Sequence, residues 1–208
     1  MRIRIRAVTQ RYSLLHFILG LLAASAMLCG VTKVADAQTP PAIEYRVLAT
    51  TKTSTMEKEL NEASDAGFQF KAVMGGETEF GGSEVVVVTS RTSASKSHYR
   101  YRLLATSKTS TMQKELQEAA DEGFEYQGQT VFKSAFGGEE VVCILERDTT
   151  SKAPISEYKL VATSKTSTLE KELREAGAAG YQVLGMTVGK TAFGGKELVA
   201  IVRRVKAQ

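Results

Sequence analysis

Hydrophobic and polar residues follow the same order three times along the chain. In the first copy, Glu44–Thr50 partly alternates and contains Tyr, Val and Leu, which predicts a β-strand. From about Thr55 to Ala66, the apolar residues Met56, Leu60 and Ala63 recur at helical spacing. This segment therefore predicts an amphipathic helix with one narrow apolar stripe.

Two more strands complete the pattern. Phe68–Met74 alternates again and would place Phe68, Phe70, Ala72 and Met74 on one face. Glu84–Thr89 is apolar throughout, which is typical of a strand that is buried on both faces. The pattern predicts a β-α-β-β unit whose last two strands are joined by a Gly-Gly turn.

The three copies align without a gap at offsets of 56 and 57 residues, and 19 of their 47 positions are identical. The predicted fold is α+β, with three tandem β-α-β-β repeats, each a small antiparallel or mixed sheet with one helix, packed together. A unit this small buries little surface alone, so the repeats are expected to pack on one another. A pseudo-threefold cluster and sheets joined edge to edge are both open. The predicted segments are a signal peptide (1–37), an N-terminal segment (38–44), repeat 1 (Tyr45–Arg91), a linker (Thr92–Arg100), repeat 2 (Tyr101–Arg147), a linker (Asp148–Glu157), repeat 3 (Tyr158–Arg204) and a tail (205–208).

Each helix has recurring start and stop signals. Ser54 followed by Glu57 fits a capping box, and Ser110 with Gln113 and Ser167 with Glu170 repeat it. The capping box predicts that each serine caps its helix N-terminus. Glycines follow the helices where a positive φ is favoured, at Gly67, Gly123 and Gly180.

The first 37 residues have the features of a secretory leader. Four arginines precede the apolar run Leu14–Val31, and Ala35-Asp36-Ala37 fits a cleavage site. We expect export by the general secretory route, cleavage between Ala37 and Gln38, and a periplasmic or secreted mature protein. The alternative is an uncleaved leader that anchors the chain, which is the one membrane association that we expect. Leu28 before Cys29 departs from a lipoprotein signal.

The mature charge argues against a nucleic-acid partner. The whole chain is formally +4, but the leader holds five of the 27 basic and one of the 23 acidic residues, which leaves 22 of each. The sequence pI near 9.0 therefore reflects the leader. Nothing in the mature balance favours nucleic acid or an acidic membrane.

Residues for catalysis or metal binding are sparse. Cys143 lies in an apolar strand and is expected to be a small buried residue, while His98 lies in a linker. No His and Cys have metal-ligand spacing, and no common catalytic motif is present. Glu59, Glu62 and Glu84 recur, but Glu59 and Glu62 fit a solvated helix face and Glu84 fits a strand edge. We therefore expect a non-catalytic protein without a cofactor or metal.

The repeat resembles a small bacterial domain of unknown function, the one numbered 4177. The matching pieces are Tyr158-Lys159-Leu160-Val161, Leu60-Asn61-Glu62, Gly180-Tyr181-Gln182-Val183-Leu184 and Val202-Arg203-Arg204. The resemblance covers most of each repeat. The chain departs from it where the family has Trp after Gly, because Phe68, Phe124 or Tyr181 stands there. The resemblance implies no activity and no catalytic residues.

Two recurring features are candidates for function. A Lys-Thr-Ser-Thr turn precedes each helix, where free N–H groups and the lysine favour a bound anion, although simple capping explains much of the same pattern. A Phe-Gly-Gly loop carries an aromatic residue that is either a plug on the repeat's own core or a partner contact. The candidate ligand-binding residues are Lys52, Thr53, Ser54, Thr55, Lys108, Thr109, Ser110, Thr111, Lys165, Thr166, Ser167 and Thr168, and the candidate partner contacts are Phe80, Phe136 and Phe193.

The sequence favours an exported, non-catalytic repeat protein that binds an unknown protein partner or assembles with itself. The alternative is a small-anion binder that uses the three helix N-termini. An enzyme is the third hypothesis, and a pocket that gathers Glu, Lys and Thr from more than one repeat would favour it.

Overall fold

The computed structural model describes residues 41–79, 82–96, 98–133, 139–190 and 195–206. In chain order the elements are β1 (Ile43–Thr50), α1 (Thr53–Asp65), β2 (Gln69–Thr78), β3 (Gly82–Thr92), β4 (Tyr99–Thr106), α2 (Thr109–Asp121), β5 (Glu125–Lys133), β6 (Glu139–Asp148), β7 (Ser156–Thr163), α3 (Thr166–Ala178), β8 (Gln182–Lys190) and β9 (Lys196–Val205).

Each repeat forms its own three-stranded antiparallel sheet with one helix. The strand orders are β1-β3-β2, β4-β6-β5 and β7-β9-β8, so the last strand of each repeat is central. The predicted α+β class and the three tandem β-α-β-β repeats are confirmed. The first strands of repeats 2 and 3 begin inside the segments that we predicted as linkers.

The predicted capping boxes are wrong. The helix α1 begins at Thr53, its N-cap residue is Lys52, and no side chain caps it. Thr50 Oγ1 instead accepts a hydrogen bond from the Lys52 amide at 3.2 Å, which holds the chain just before the helix. Ser54 therefore lies inside the first turn, and α2 and α3 begin in the same way.

The helix C-termini follow the prediction. Gly67 has φ +84°, and the Phe68 amide donates to the Ala63 carbonyl at 2.9 Å, which closes the last turn. Arg91 donates to the exposed Ala66 carbonyl at 2.8 Å and lies over the Phe68 ring. Gly123 and Gly180 also have positive φ, and Arg147 and Arg204 bond the equivalent carbonyls. The basic residue that closes each repeat thus satisfies the end of its helix.

A β-bulge in β2 changes the predicted faces of that strand. Phe70 pairs with Thr89 while Ala72 pairs with Val88, so the register shifts by one residue between them. Adjacent residues of β3 point to opposite faces of the sheet, and therefore Phe70 and Ala72 do too. The prediction that they share a face is wrong. The same bulge recurs in β5 and β8.

The three repeats stack in a line. One buried core combines α1 and the first sheet with Tyr101, Val142 and Ile144 of repeat 2. A second core joins repeat 2 to repeat 3 in the same way, and the third lies within repeat 3. The helices α1 and α2 therefore each lie between their own sheet and the next one, whereas α3 packs only on its own sheet. Neither a pseudo-threefold cluster nor edge-joined sheets describes this arrangement.

Among the residues that the structure describes, no helix is long and apolar enough to cross a membrane.

Candidate functional site: the two end faces of the stack

Every sheet has two distinct faces. We call the face that points toward the preceding repeat the front face and the face that carries the repeat's own helix the rear face. In repeat 2, the central strand β6 places Val142 and Ile144 on the front face and Cys143 on the rear face. Both faces of this strand are buried, as predicted for the apolar run.

The helix of one repeat recognises the backbone of the next through an amide side chain. Asn61 of α1 accepts a hydrogen bond from the Tyr101 amide and donates to the Tyr101 carbonyl, both at 3.0 Å. Gln117 of α2 likewise accepts from the Tyr158 amide and donates to the Ser156 carbonyl. These bonds satisfy the outer edge of β4 and β7, which would otherwise expose unpaired backbone groups.

A second helical residue adds another bond to the same edge. The Glu57 carboxylate accepts from the Leu103 amide at 2.8 Å, and Gln113 accepts from the Leu160 amide at 3.2 Å. The sequence predicted that Glu57 and Gln113 reach back to their own helix. They instead bind the neighbouring repeat.

A buried tyrosine hydroxyl completes each junction. The Tyr101 hydroxyl accepts from the Phe70 amide at 2.9 Å and donates to Glu146 at 2.6 Å. Burial, followed by the bond to Glu146, raises the pKa of Tyr101. The Tyr158 hydroxyl accepts from the Tyr126 amide at 2.9 Å, and burial raises the pKa of Tyr158 as well. Both hydroxyls therefore stay protonated as parts of an interface.

Glycine occurs where neighbouring repeats come closest. A Cβ at Gly128 would lie 3.2 Å from the Phe70 ring and 3.3 Å from Val73 of the preceding repeat. A Cβ at Gly185 would collide with the Tyr126 hydroxyl. The equivalent residue in repeat 1 is Ala72, which is exposed.

The front face of repeat 1 exposes what the other repeats bury. Tyr45 is 64% exposed, whereas its equivalents Tyr101 and Tyr158 are 3% and 4% exposed. Val86 and Val88 are only half-buried, although their equivalents in repeats 2 and 3 are buried. The exposed apolar side chains on this face are Ile43, Tyr45, Val47 and Met74.

The rear face of repeat 3 likewise exposes positions that are buried in repeat 1. Val183 is 52% exposed, whereas its equivalent Phe70 is 7% exposed. On α3, Glu170 and Arg174 occupy the positions of Glu57 and Asn61, and they pair with each other at 2.7 Å. The exposed apolar side chains here are Val183, Met186 and Val188. Among the described residues, seven of the nine large hydrophobic side chains classed as exposed thus lie on the two end faces.

The structure places the predicted Lys-Thr-Ser-Thr residues at and within the first turn of each helix. Lys52, Lys108 and Lys165 are exposed N-cap residues. The Thr109 hydroxyl at the start of α2 donates to the Glu197 carboxylate of repeat 3. The protein's own carboxylate therefore already lies at one of the three turns. Anion binding there stays a prediction.

The candidate partner contacts Phe80, Phe136 and Phe193 lie outside the described residues. The sequence does not predict the end faces, because each contributing strand has an ordinary strand pattern. The available signal was the change at one aligned position, where Ala72 replaces the glycine of the other repeats.

The described residues contain no group of three or more His, Cys, Asp or Glu placed to hold a metal ion. Cys143 is fully buried as predicted, and burial raises the pKa of its thiol to about 12.

An open groove of about 740 Å³ between α2 and β7 gathers Lys114, Glu118 and Glu157 from two repeats but lacks a threonine. Glu157 is bound there by Tyr181 and Arg204, which matches a structural role.

No family model, curated protein or solved structure matches this chain. The resemblance to the domain of unknown function therefore stays a prediction.

Proposed function

We propose that this is an exported, non-catalytic repeat protein of the bacterial periplasm that works by binding a macromolecular partner at the ends of its stack. One observation carries the proposal: the front face that is covered twice within the chain is open in repeat 1. Its exposed tyrosine and aliphatic residues are the kind of contiguous apolar surface that marks interaction sites.

The electrostatics of the mature chain support a protein partner. Basic and acidic residues are balanced at 22 each once the leader is removed, so no strong single-sign field favours nucleic acid. The leader supports an exported location. The buried thiol of Cys143 and the structural ties of Glu157 support a role without catalysis.

Photo-crosslinking in the native host tests this function. The full chain, with its own leader, is expressed with a photoreactive residue at Val47 on the front face. The matched control carries it at Lys114, whose side chain is 75% exposed on the solvent side of α2. We expect a light-dependent adduct in the periplasmic fraction from Val47 and none from Lys114. Recovery of only uncrosslinked chain from Val47, and from Met186 on the rear face, would contradict the proposal.

A further inference from the structure

We propose that the occupant of each end face is a second copy of this chain, bound head to tail. The rear face of repeat 3 in one copy would cover the front face of repeat 1 in the next, which continues the internal stack. This inference rests on the proposed function, because it names the partner of the same faces. Its basis is continuity with a junction that the chain already forms twice.

Side-chain sizes at the closest approach are complementary. In the first internal junction the large Phe70 packs on Gly128, and in the second Tyr126 packs on Gly185. At the proposed junction, the equivalent residues are Val183 and Ala72. The smaller Val183 thus meets a residue that carries a Cβ. A glycine there would leave a gap, and close packing favours the pair that is present.

Two backbone contacts of the internal junctions can form between copies. The Tyr45 hydroxyl corresponds to the Tyr101 and Tyr158 hydroxyls, and it would accept a hydrogen bond from the Val183 amide, which corresponds to the Phe70 and Tyr126 amides. The Glu170 carboxylate corresponds to Glu57 and would accept from the Val47 amide. Val47 belongs to an edge strand, whose outward backbone groups are a template for such bonds.

One helix position carries an amide side chain in repeats 1 and 2 but a charged side chain in repeat 3. Arg174 replaces Asn61 and Gln117, and a guanidinium donates to a carbonyl but cannot accept from an amide. The strand that faces this helix position also carries a different charge in the proposed junction. In the first internal junction, Asp65 of the helix pairs with Arg100 of the next repeat at 2.7 Å. The end-to-end junction has Glu44 in place of Arg100, and Arg174 lies one helical turn from Ala178, which replaces Asp65. In the proposed junction, Arg174 would therefore lie near Glu44, which pairs with Arg91 of its own repeat at 2.8 Å.

The front and rear faces are different surfaces, so a dimer that pairs two front faces or two rear faces would leave the other face of each copy open. A head-to-tail contact produces a closed ring if its rotation closes and an extending series if it does not. Either product would contain the same junction.

Two variants that block one face each test the inference. Val47→Asp places an unpaired charge on the front face, opposite Glu170, and Met186→Asp does so on the rear face. Both residues are exposed in the free chain, so the fold should be retained, and circular dichroism checks this. The control is Ile155→Asp, because Ile155 is also exposed but lies on neither end face.

The proteins are expressed with their own leader, purified from the periplasm and analysed by size-exclusion chromatography with light scattering over a range of concentrations. We expect the wild-type chain and Ile155→Asp to form a ring or a concentration-dependent series. Each face variant alone should be a monomer. An equimolar mixture of the two variants should form a dimer and nothing larger, since only one compatible pair of faces remains.

A wild-type chain that stays monomeric at every concentration would overturn the inference, as would unchanged assembly of both face variants. These failures are distinguishable from failure of the proposed function. If the purified chain is monomeric but Val47 crosslinks to a different protein in the host, the ends bind a partner that is not a second copy. If Val47 and Met186 crosslink to nothing, both proposals fail.

Discussion

The ring of Phe70 in the first repeat lies directly against Gly128 in the second. A Cβ at Gly128 would lie 3.2 Å from the Phe70 Cζ atom, which is tighter than ordinary van der Waals contact. The bulge in each second strand makes this contact possible, because it turns Phe70 toward the rear face and Gly128 toward the front face. The residue at this aligned position therefore differs between covered and open front faces. It is glycine in repeats 2 and 3, whose front faces are covered, and Ala72 in repeat 1, whose front face is open.

Enlarging the closest contact should destabilise the stack. We expect Gly185→Ala to lower the free energy of unfolding by about 1–3 kcal/mol, because the new methyl group would displace the ring of Tyr126. Urea denaturation measures the change. Gly177→Ala is the control, since a Cβ there meets nothing within 4 Å and α3 should gain about 0.5–1 kcal/mol. Equal stability of both variants would contradict this account of the junction.

The amide side chains between repeats should matter only where a following repeat is present. Asn61→Ala removes both bonds to Tyr101 and leaves its backbone groups without these partners, so we expect a loss of about 1–3 kcal/mol in unfolding free energy. Arg174→Ala changes the same position of the free helix and should cost less than about 0.5 kcal/mol in the monomer. Similar losses for both variants would show that the position acts within its own helix.

The thiol of Cys143 should report on global unfolding. The residue is fully buried, and burial raises the pKa of its thiol to about 12, so thiolate is scarce at neutral pH. We expect a thiol reagent to label Cys143 far more slowly in the native chain than in the urea-unfolded chain. Mass spectrometry of timed samples measures the rates. Rapid native labelling would contradict the burial of Cys143 on the rear face of repeat 2, where it shares a core with Met112 and Leu116 of α2.

The carboxyl group of Glu157 should make stability depend on pH. Hydrogen bonds from Tyr181 and then Arg204 lower its pKa from 4.5 to about 2. A lowered pKa in the folded state means that the contribution is present above about pH 4.5 and is lost as the pH falls toward 2. We therefore expect Glu157→Gln to lower the melting temperature at pH 7, with a difference that shrinks below pH 4.5.

The control for that titration is Glu118→Gln, which removes an exposed carboxylate with one ion pair to Lys114. Its melting temperature should follow that of the wild-type chain at every pH. A Glu157→Gln difference that stays constant from pH 7 to pH 2.5 would contradict a role for the ionised carboxylate.

Local patterns predicted each repeat well because the relevant interactions are close in sequence. The stripe of Met56, Leu60 and Ala63 is buried as expected, and Gly67 has the positive φ that the helix end requires. The failures concern side chains that act across repeats. Glu57 fits a capping box within its own segment, but its carboxylate accepts a hydrogen bond from the Leu103 amide of the next repeat. No local rule distinguishes a glutamate that caps its own helix from one that binds a neighbouring repeat.

The arrangement of the repeats could not be predicted from the sequence either, because it also depends on contacts between repeats. Stacking depends on which face of a sheet packs against which helix. The bulge in β2 places Phe70 and Ala72 on opposite faces, and no clear pattern in the sequence indicates this bulge. The end faces follow from the stack, so they became visible only with it. Tyr45 and Tyr101 are the same residue in the same pattern, and only the neighbouring repeat makes one exposed and the other buried.

Residue-resolved amide hydrogen exchange of the purified chain at several protein concentrations tests the central claim most directly. The Leu103 and Leu160 amides, which donate to the preceding helix, should exchange slowly at every concentration. The equivalent Val47 amide should exchange rapidly in dilute solution and become protected as the concentration rises. Val47 exchange that is independent of concentration would contradict continuation of the stack between copies. Leu103 and Leu160 amides as labile as that of Val47 would contradict the internal junctions themselves.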